Sequence, residues 1–76
     1  MYELTYIDEK ERNLYRVGAQ NSSSSICYFK CWTKDNGVLK KIVQMPNEGN
    51  ALNIYGFLDK DLLDTIQKEI HTYKNR

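Results

Sequence analysis

The residues best suited to catalysis or metal binding are one histidine, His71, and two cysteines, Cys27 and Cys31. A histidine can act as a general base or bind a metal, and a cysteine thiolate can act as a nucleophile. His71, however, has no cysteine or carboxylate at ligand spacing, and nothing in the sequence places either thiol beside it. The sequence therefore predicts neither a metal site nor a catalytic dyad.

The spacing of the two cysteines also argues against a disulfide. On a strand that rises ~3.3 Å per residue, their Cα atoms would lie roughly 13 Å apart, whereas a disulfide requires less than ~7 Å. We interpret both cysteines as small, half-buried hydrophobic residues.

The carboxylates and glycines form no recognisable catalytic or phosphate-binding motif. The acidic residues within 8–13 alternate with basic ones, as in a solvated loop, and another acidic group coincides with the start of a helical pattern; neither has calcium-loop spacing. The four glycines are isolated, so the sequence has no glycine-rich phosphate loop. We therefore expect a protein that is not an enzyme and that uses no cofactor.

The length and charge of the chain limit its fold and its partners. Its 76 residues suffice for one domain with a thin core, and a net charge of +1 gives no global attraction to nucleic acid or to anionic membranes. No apolar run approaches the ~20 residues that cross a bilayer, and the first residues do not resemble a signal peptide. We expect a single cytoplasmic domain, residues 1–76, without a membrane partner.

A first hairpin is predicted over residues 1–20, from two runs with a two-residue period that flank the charged connection 8–13. A short helix over 8–16 is the alternative interpretation. Each run places three residues on one face: Tyr2, Leu4 and Tyr6 in the first, and Tyr15, Val17 and Ala19 in the second. Residues 21–25 should form a polar loop.

A second hairpin, residues 26–45, is predicted to turn at an Asp-Asn-Gly sequence that ends with Gly37. We expect a three-residue turn that pairs Phe29 with Val43, because a two-residue turn would mix lysines into the apolar face. In this register one face should pack against the helix: Cys27, Phe29, Cys31, Leu39, Val43 and Met45, with Lys41 as its only charge.

A short strand is predicted over 51–55, and the clearest helical pattern follows over 59–74. Its apolar residues recur every three or four positions: Leu58, Leu62, Leu63, Ile66, Ile70 and Tyr73. Asp59 is a suitable N-cap, and Asp61 lies in the positive first turn. The predicted fold class is α+β, a small antiparallel sheet of four to five hairpin-connected strands packed on one C-terminal α-helix.

The other face of the second hairpin combines large apolar residues with lysines, which is unusual for a solvent-exposed sheet face. In the predicted register it consists of Ile26, Tyr28, Lys30, Trp32, Lys34, Val38, Lys40, Ile42 and Gln44. We predict that this face binds a protein partner, either an acidic protein or a second copy of the chain. The predicted contact residues are Tyr28, Lys30, Trp32, Lys34, Lys40 and Ile42.

Other interpretations of this face remain open. The N-terminal hairpin would cover it if Tyr2, Leu4 and Tyr6 packed there, or lysine stems would lie over the rings. Alternatively, its aromatic residues would stack on single-stranded nucleic acid, although the near-neutral charge weighs against this. A structural homo-oligomer is a further alternative.

No motif ties these residues to a named family. Small, nearly neutral, tyrosine-rich domains without catalytic residues are common among phage and mobile-element proteins that bind and block host proteins. The predicted function is that of a small non-enzymatic protein-binding module, and this association of size and composition adds the more specific hypothesis of an inhibitor that blocks a host protein.

Overall fold

The computed structural model describes residues 2–21, 26–45 and 60–76. They form four strands and one helix: β1 (Tyr2–Glu11), β2 (Leu14–Asn21), β3 (Cys27–Thr33), β4 (Leu39–Met45) and α1 (Lys60–Lys74). The strands lie in one antiparallel sheet in the order β1-β2-β3-β4, and the sheet packs against α1. The predicted α+β fold class is confirmed. The predicted strand over 51–55, the N-cap Asp59 and most of the loop 21–25 lie outside the described residues.

The helix and one face of the sheet form the hydrophobic core. Helix α1 buries Leu62, Ile66 and Ile70, which recur at the predicted three- and four-residue spacing. The sheet residues buried against them are Tyr15, Val17, Ala19, Phe29, Cys31, Leu39 and Ile42. The predicted faces of β2 and of the first half of the second hairpin are thus confirmed, and so are the helix bounds within one residue.

The first strand is longer than predicted. β1 continues to Glu11, and a two-residue turn at Arg12 and Asn13 leads into β2. Asn13 adopts a positive φ of 63°, which asparagine tolerates better than most residues. The charged connection over 8–13 and the alternative helix over 8–16 were therefore both wrong, because the charged residues of β1 lie on an edge strand that keeps its pairing with β2.

A bulge at Thr5 changes which residues of β1 face the helix. The pairing with β2 shifts between Leu4 and Tyr6, so that the side-chain alternation is reset after Thr5. As a result, Ile7 packs against the core together with Leu4, whereas Tyr6 lies on the opposite face. The predicted common face of Tyr2, Leu4 and Tyr6 is corrected accordingly.

A second bulge, at Lys40, changes the register of the second hairpin. Next to the turn the predicted register holds, since Thr33 pairs with Leu39. Beyond it Trp32 pairs with Lys41, so Lys40 is an extra residue in β4 and every later residue faces the other way.

This bulge exchanges a lysine for an isoleucine in the core. Ile42 has an exposed fraction of 0%, and it contacts the core beneath α1 instead of lying on the outer face as predicted. Lys41, Val43 and Met45, which were predicted to face the helix, lie on the opposite side of the sheet, where Val43 is nevertheless buried, with an exposed fraction of 2%. Burial of an unpaired lysine is strongly unfavourable, whereas burial of an isoleucine side chain contributes about 1.5–3 kcal/mol. The prediction of Ile42 as a surface contact residue is therefore corrected.

Directed hydrogen bonds fix the helix on the turn of the second hairpin. The Gln67 side chain donates from Nε2 to the Gly37 carbonyl and accepts at Oε1 from the Leu39 amide, each over 2.8 Å. Gly37 has a φ of 88°, and a Cβ there would lie 3.0 Å from Cδ2 of His71. Glycine suits this position because it adopts the positive φ of the turn easily and has no Cβ to collide with the helix.

Candidate functional site

The predicted contact residues of β3 lie on the sheet face opposite α1, which we call the open face. Tyr28, Lys30 and Trp32 alternate there with the core residues of the same strand. Lys34 follows the end of β3 and Lys40 occupies the bulge of β4, and both are exposed near the hairpin turn. The structure thus brings the first three residues together on one face and leaves the two outer lysines near the turn.

The open face contains a groove of ≈ 680 Å³ that the sequence analysis did not predict. Its lining residues are Thr5, Tyr6, Arg16, Ile26, Tyr28 and Met45. Three of them are among the four large hydrophobic residues that are exposed in the described part of the chain: Tyr6 is 41%, Ile26 40% and Tyr28 46% exposed. The fourth, Val38, lies near the hairpin turn. The exposed apolar surface is therefore concentrated in this groove.

Cross-strand pairing explains why the groove residues meet. Tyr6, Gly18, Tyr28 and Met45 are successive Cα partners across β1, β2, β3 and β4, so they form one row across the open face. Because side chains alternate with a period of two, Tyr6 and Met45 would lie on the helix side without the bulges. The same bulges that complete the core therefore also build the groove.

Gly18 lies beneath the ring of Tyr28, one of the residues that line the groove. A Cβ at Gly18 would lie 3.1 Å from Cε1 of Tyr28 and 3.0 Å from Oγ1 of Thr5, which is closer than side chains normally approach. The tyrosine ring therefore lies directly across the glycine backbone, as is often seen where a strand glycine faces an aromatic residue. This contact fixes one wall of the groove.

Arg16 is the charged residue of the groove. Its Nε atom is buried and has no hydrogen-bond partner among the described residues. Asp8 is the Cα partner of Arg16 on β1, but its carboxylate accepts a hydrogen bond from the Tyr6 hydroxyl at 3.3 Å and lies 3.6 Å from Nζ of Lys10. The Asp8 carboxylate thus interacts with Tyr6 and Lys10. Arg16 is the one charged residue among those that line the groove.

Trp32 lies on the open face two rows beyond the row that contains Tyr28, and it is half-buried. The Lys41 ammonium lies 4.8 Å from the centre of its ring, a cation–π contact that covers one face of the indole. Tyr2 and Leu4, which would cover the open face in one of the alternatives, pack against the core on the helix side instead. The open face is therefore not covered by these two residues.

The remaining reactive side chains lie away from the groove. Cys27 and Cys31 form no disulfide, and burial raises the pKa of the Cys31 thiol to about 12, which favours the protonated thiol at neutral pH. His71 is exposed on α1, with Nε2 at 3.4 Å from Nε2 of Gln67. Residues 2–21, 26–45 and 60–76 hold no group of three or more histidine, cysteine or acidic side chains that is arranged to bind a metal. Within the same ranges, no helix has the length and apolar character to cross a membrane.

Sequence analysis missed Tyr6, Arg16 and Met45 as groove residues. Two signals in the sequence pointed toward them. Lys41 interrupts an otherwise apolar face, which favours a bulge that removes it, and Gly18 in the middle of a strand indicates a close approach by another group. Neither signal identifies the neighbouring strand, which only the order of the sheet provides.

No protein-family model, curated protein or solved structure matches this chain. The function is therefore inferred from the geometry of the open face and from the chemistry of the side chains that line the groove.

Proposed function

We propose that the protein is a non-enzymatic binding module that holds a partner protein in the groove of the open face. The observation that carries this proposal is the clustering of Tyr6, Ile26 and Tyr28, which are exposed together around one groove. Folded proteins scatter single exposed apolar residues, whereas a contiguous apolar patch is typical of an interaction site.

The residue types suit such a role. Tyr6 and Tyr28 offer large, stiff contact surfaces with a hydroxyl that can hydrogen bond, and tyrosine is enriched among the residues that dominate binding energy at interfaces. Met45 supplies a flexible, polarisable side chain that adapts to the shape of a ligand. Because the Tyr28 ring packs on the backbone of Gly18, part of its surface is already ordered before a partner binds.

The test compares two substitutions that each remove an exposed apolar side chain. Tyr28→Ser changes the groove, whereas Val38→Ser is the matched control because Val38 is 38% exposed and lies outside the groove. Partners are captured from a lysate of the source organism with wild-type and variant baits, and the affinity of the purified partner is then measured by calorimetry. We expect Tyr28→Ser to weaken binding by at least about tenfold and Val38→Ser to leave it nearly unchanged.

Circular dichroism and thermal melting of the same two variants control for their folding. Equal affinity of the wild-type protein and the folded Tyr28→Ser variant would place the interaction elsewhere and overturn the proposal. A partner that binds the Val38→Ser variant as weakly as the Tyr28→Ser variant would indicate a contact centred on the hairpin turn.

Single-stranded nucleic acid is the second candidate ligand, favoured by the aromatic rings and the cations Arg16, Lys30 and Lys41 on the open face. It is less well supported, because Lys41 covers one face of the Trp32 ring and Asp8 adds a negative charge to the same face. A gel shift with single-stranded oligonucleotides at low and high salt tests this candidate, since phosphate contacts give a steep salt dependence. The absence of any shift at low salt would eliminate it.

Several finer predictions rest on the sequence only. Four of them stay predictions. They are the role of a phage or mobile-element type inhibitor that blocks a host protein, an acidic partner, a cytoplasmic location and a homo-oligomeric state. Sizing chromatography tests the last of them, and identification of the captured partner tests the first two.

A further inference from the structure

The groove combines an apolar lining with one charge. Of its lining residues Thr5, Tyr6, Arg16, Ile26, Tyr28 and Met45, only Arg16 is ionised at neutral pH. A ligand that fills this groove must therefore present mainly apolar surface and, to match the guanidinium, a single negative charge.

The guanidinium of Arg16 is available to such a ligand. Arg16 is half-buried and lines the groove, and no carboxylate in residues 2–21, 26–45 or 60–76 forms an ion pair with it. An Arg–carboxylate contact next to apolar side chains is stronger than one in open water, since the surroundings screen it less.

The geometry of arginine discriminates among anions. Its planar guanidinium matches the two oxygens of a carboxylate with two parallel hydrogen bonds. A phosphate carries more charge at neutral pH and is usually bound by several cations or amides, whereas the groove offers one cation. One arginine among tyrosine, isoleucine and methionine therefore favours a carboxylate attached to an apolar group.

We propose that Arg16 makes the groove selective for a segment of a partner protein in which an aspartate or glutamate neighbours an aromatic or aliphatic side chain. The carboxylate accepts hydrogen bonds from Arg16, and the apolar side chain packs between Tyr28 and Met45. This inference rests on the proposed function and adds the chemistry of the partner to it.

The test uses a surface-displayed library of random peptides, selected for binding to three forms of the protein. The forms are the wild type, Arg16→Gln, and Lys68→Gln, a matched control that removes one exposed positive charge from α1 outside the groove. We expect the wild type and Lys68→Gln to enrich the same peptides, with an acidic residue beside Leu, Ile, Phe, Tyr or Trp. Arg16→Gln should not enrich them.

An enriched peptide then enters a double-mutant cycle, measured by fluorescence polarisation. Replacement of its acidic residue by the corresponding amide should lower its affinity for the wild type by at least about tenfold, and it should have little effect on binding to Arg16→Gln. Melting curves of Arg16→Gln control for folding, and Arg16→Lys should recover part of the affinity because it keeps the charge but not the planar geometry.

The outcomes separate this inference from the proposed function. The role of Arg16 would be overturned if the enriched peptides lacked acidic residues. It would also be overturned if the change of the peptide's acidic residue to its amide lowered the affinity equally for the wild type and for Arg16→Gln. If Tyr28→Ser still abolished binding in either case, the proposed function would stand. If no peptide were enriched, this inference would be overturned, whereas the proposed function would fall only if Tyr28→Ser left binding of the captured partner intact. Displacement of the peptide by inorganic phosphate or an oligonucleotide but not by acetate would identify a phosphate ligand. A dimer that Tyr28→Ser dissociates would identify a second copy as the occupant, and either result would overturn the inference.

Discussion

The two faces of the sheet use tyrosines in opposite ways. On the helix-covered face Tyr15 is fully buried, and its ring meets that of Tyr73 edge-on with 5.7 Å between the ring centres. On the open face Tyr6 and Tyr28 are exposed around the groove. Residue type therefore does not decide which tyrosine is structural and which is available to a partner. Alternation along β2 and β3 places Tyr15 and Tyr28 on opposite faces. The bulge at Thr5 turns Tyr6 to the open face because it reverses the side chains that follow.

The comparison implies a division of roles between the two faces. Side chains beneath α1 are completely enclosed, so their truncation leaves a cavity and lowers stability. Side chains around the groove already contact solvent, so their truncation should change binding much more than folding. Adjacent residues of β4 on either side of this division provide the most direct test.

The largest effect is expected from Ile42→Ala. Ile42 is fully buried beneath α1, so we expect a loss of about 2–4 kcal/mol in the free energy of unfolding. The matched variant is Lys41→Ala, on the open face, which should cost at most about 1 kcal/mol through its contact with Trp32. Urea unfolding of both variants measures the difference. The reverse order of the two costs would mean that β4 lacks the bulge at Lys40.

The same residues show how far the sequence predicts this fold. The strictly alternating strands β2 and β3 were assigned to the correct faces, because a two-residue period needs no tertiary information there. Helix α1 was located within one residue, because its apolar spacing persists over four turns. Beyond Lys40 the predicted pairing of the second hairpin was wrong. The residues of the turn favour a register that would place Lys41 in the core, whereas core packing favours the shifted register that places Ile42 there. Packing determined the register.

The candidate site was less predictable than the core. Tyr28, Lys30 and Trp32 do lie on the open face, since they alternate with core residues of β3. The groove, however, also needs residues from β1 and β2. Their position depends on the strand order and on the Thr5 bulge, and neither can be read from local periodicity.

Gly18→Ala, on the open face, should cause an intermediate loss in the free energy of unfolding. The new Cβ would crowd the Tyr28 ring and Oγ1 of Thr5, so we expect a loss of about 1–3 kcal/mol. In a Tyr28→Ala background the cost should fall by at least about 0.5 kcal/mol, because one of the two crowded neighbours is gone. Chemical denaturation of the four proteins in this cycle measures the coupling. Strictly additive costs would mean that the ring does not lie on Gly18 in solution.

The smallest effect is expected at the end of the sheet where both hairpin turns meet. Oδ1 of Asp35 accepts hydrogen bonds from Nδ2 of Asn13 at 2.6 Å and from the Arg12 guanidinium at 3.3 Å, and so links the two turns. The hydrogen bond from Asn13, and next the positive charge of Arg12, lower the pKa of the Asp35 carboxyl below its ordinary value. Asp35 is fully exposed, so solvent and salt screen this contribution strongly.

The sign of the pH dependence follows from the lowered pKa. The ionised carboxylate is stabilised in the folded state, so its contribution is complete above the unfolded pKa and is lost as the pH falls through the folded pKa. Asp35→Asn, which keeps the shape of the side chain, should therefore have a slightly lower urea midpoint than the wild type at neutral pH. The two midpoints should converge in strong acid, and added salt should narrow the gap at neutral pH. A gap that persists unchanged in acid would mean that the negative charge of Asp35 does not link the two turns.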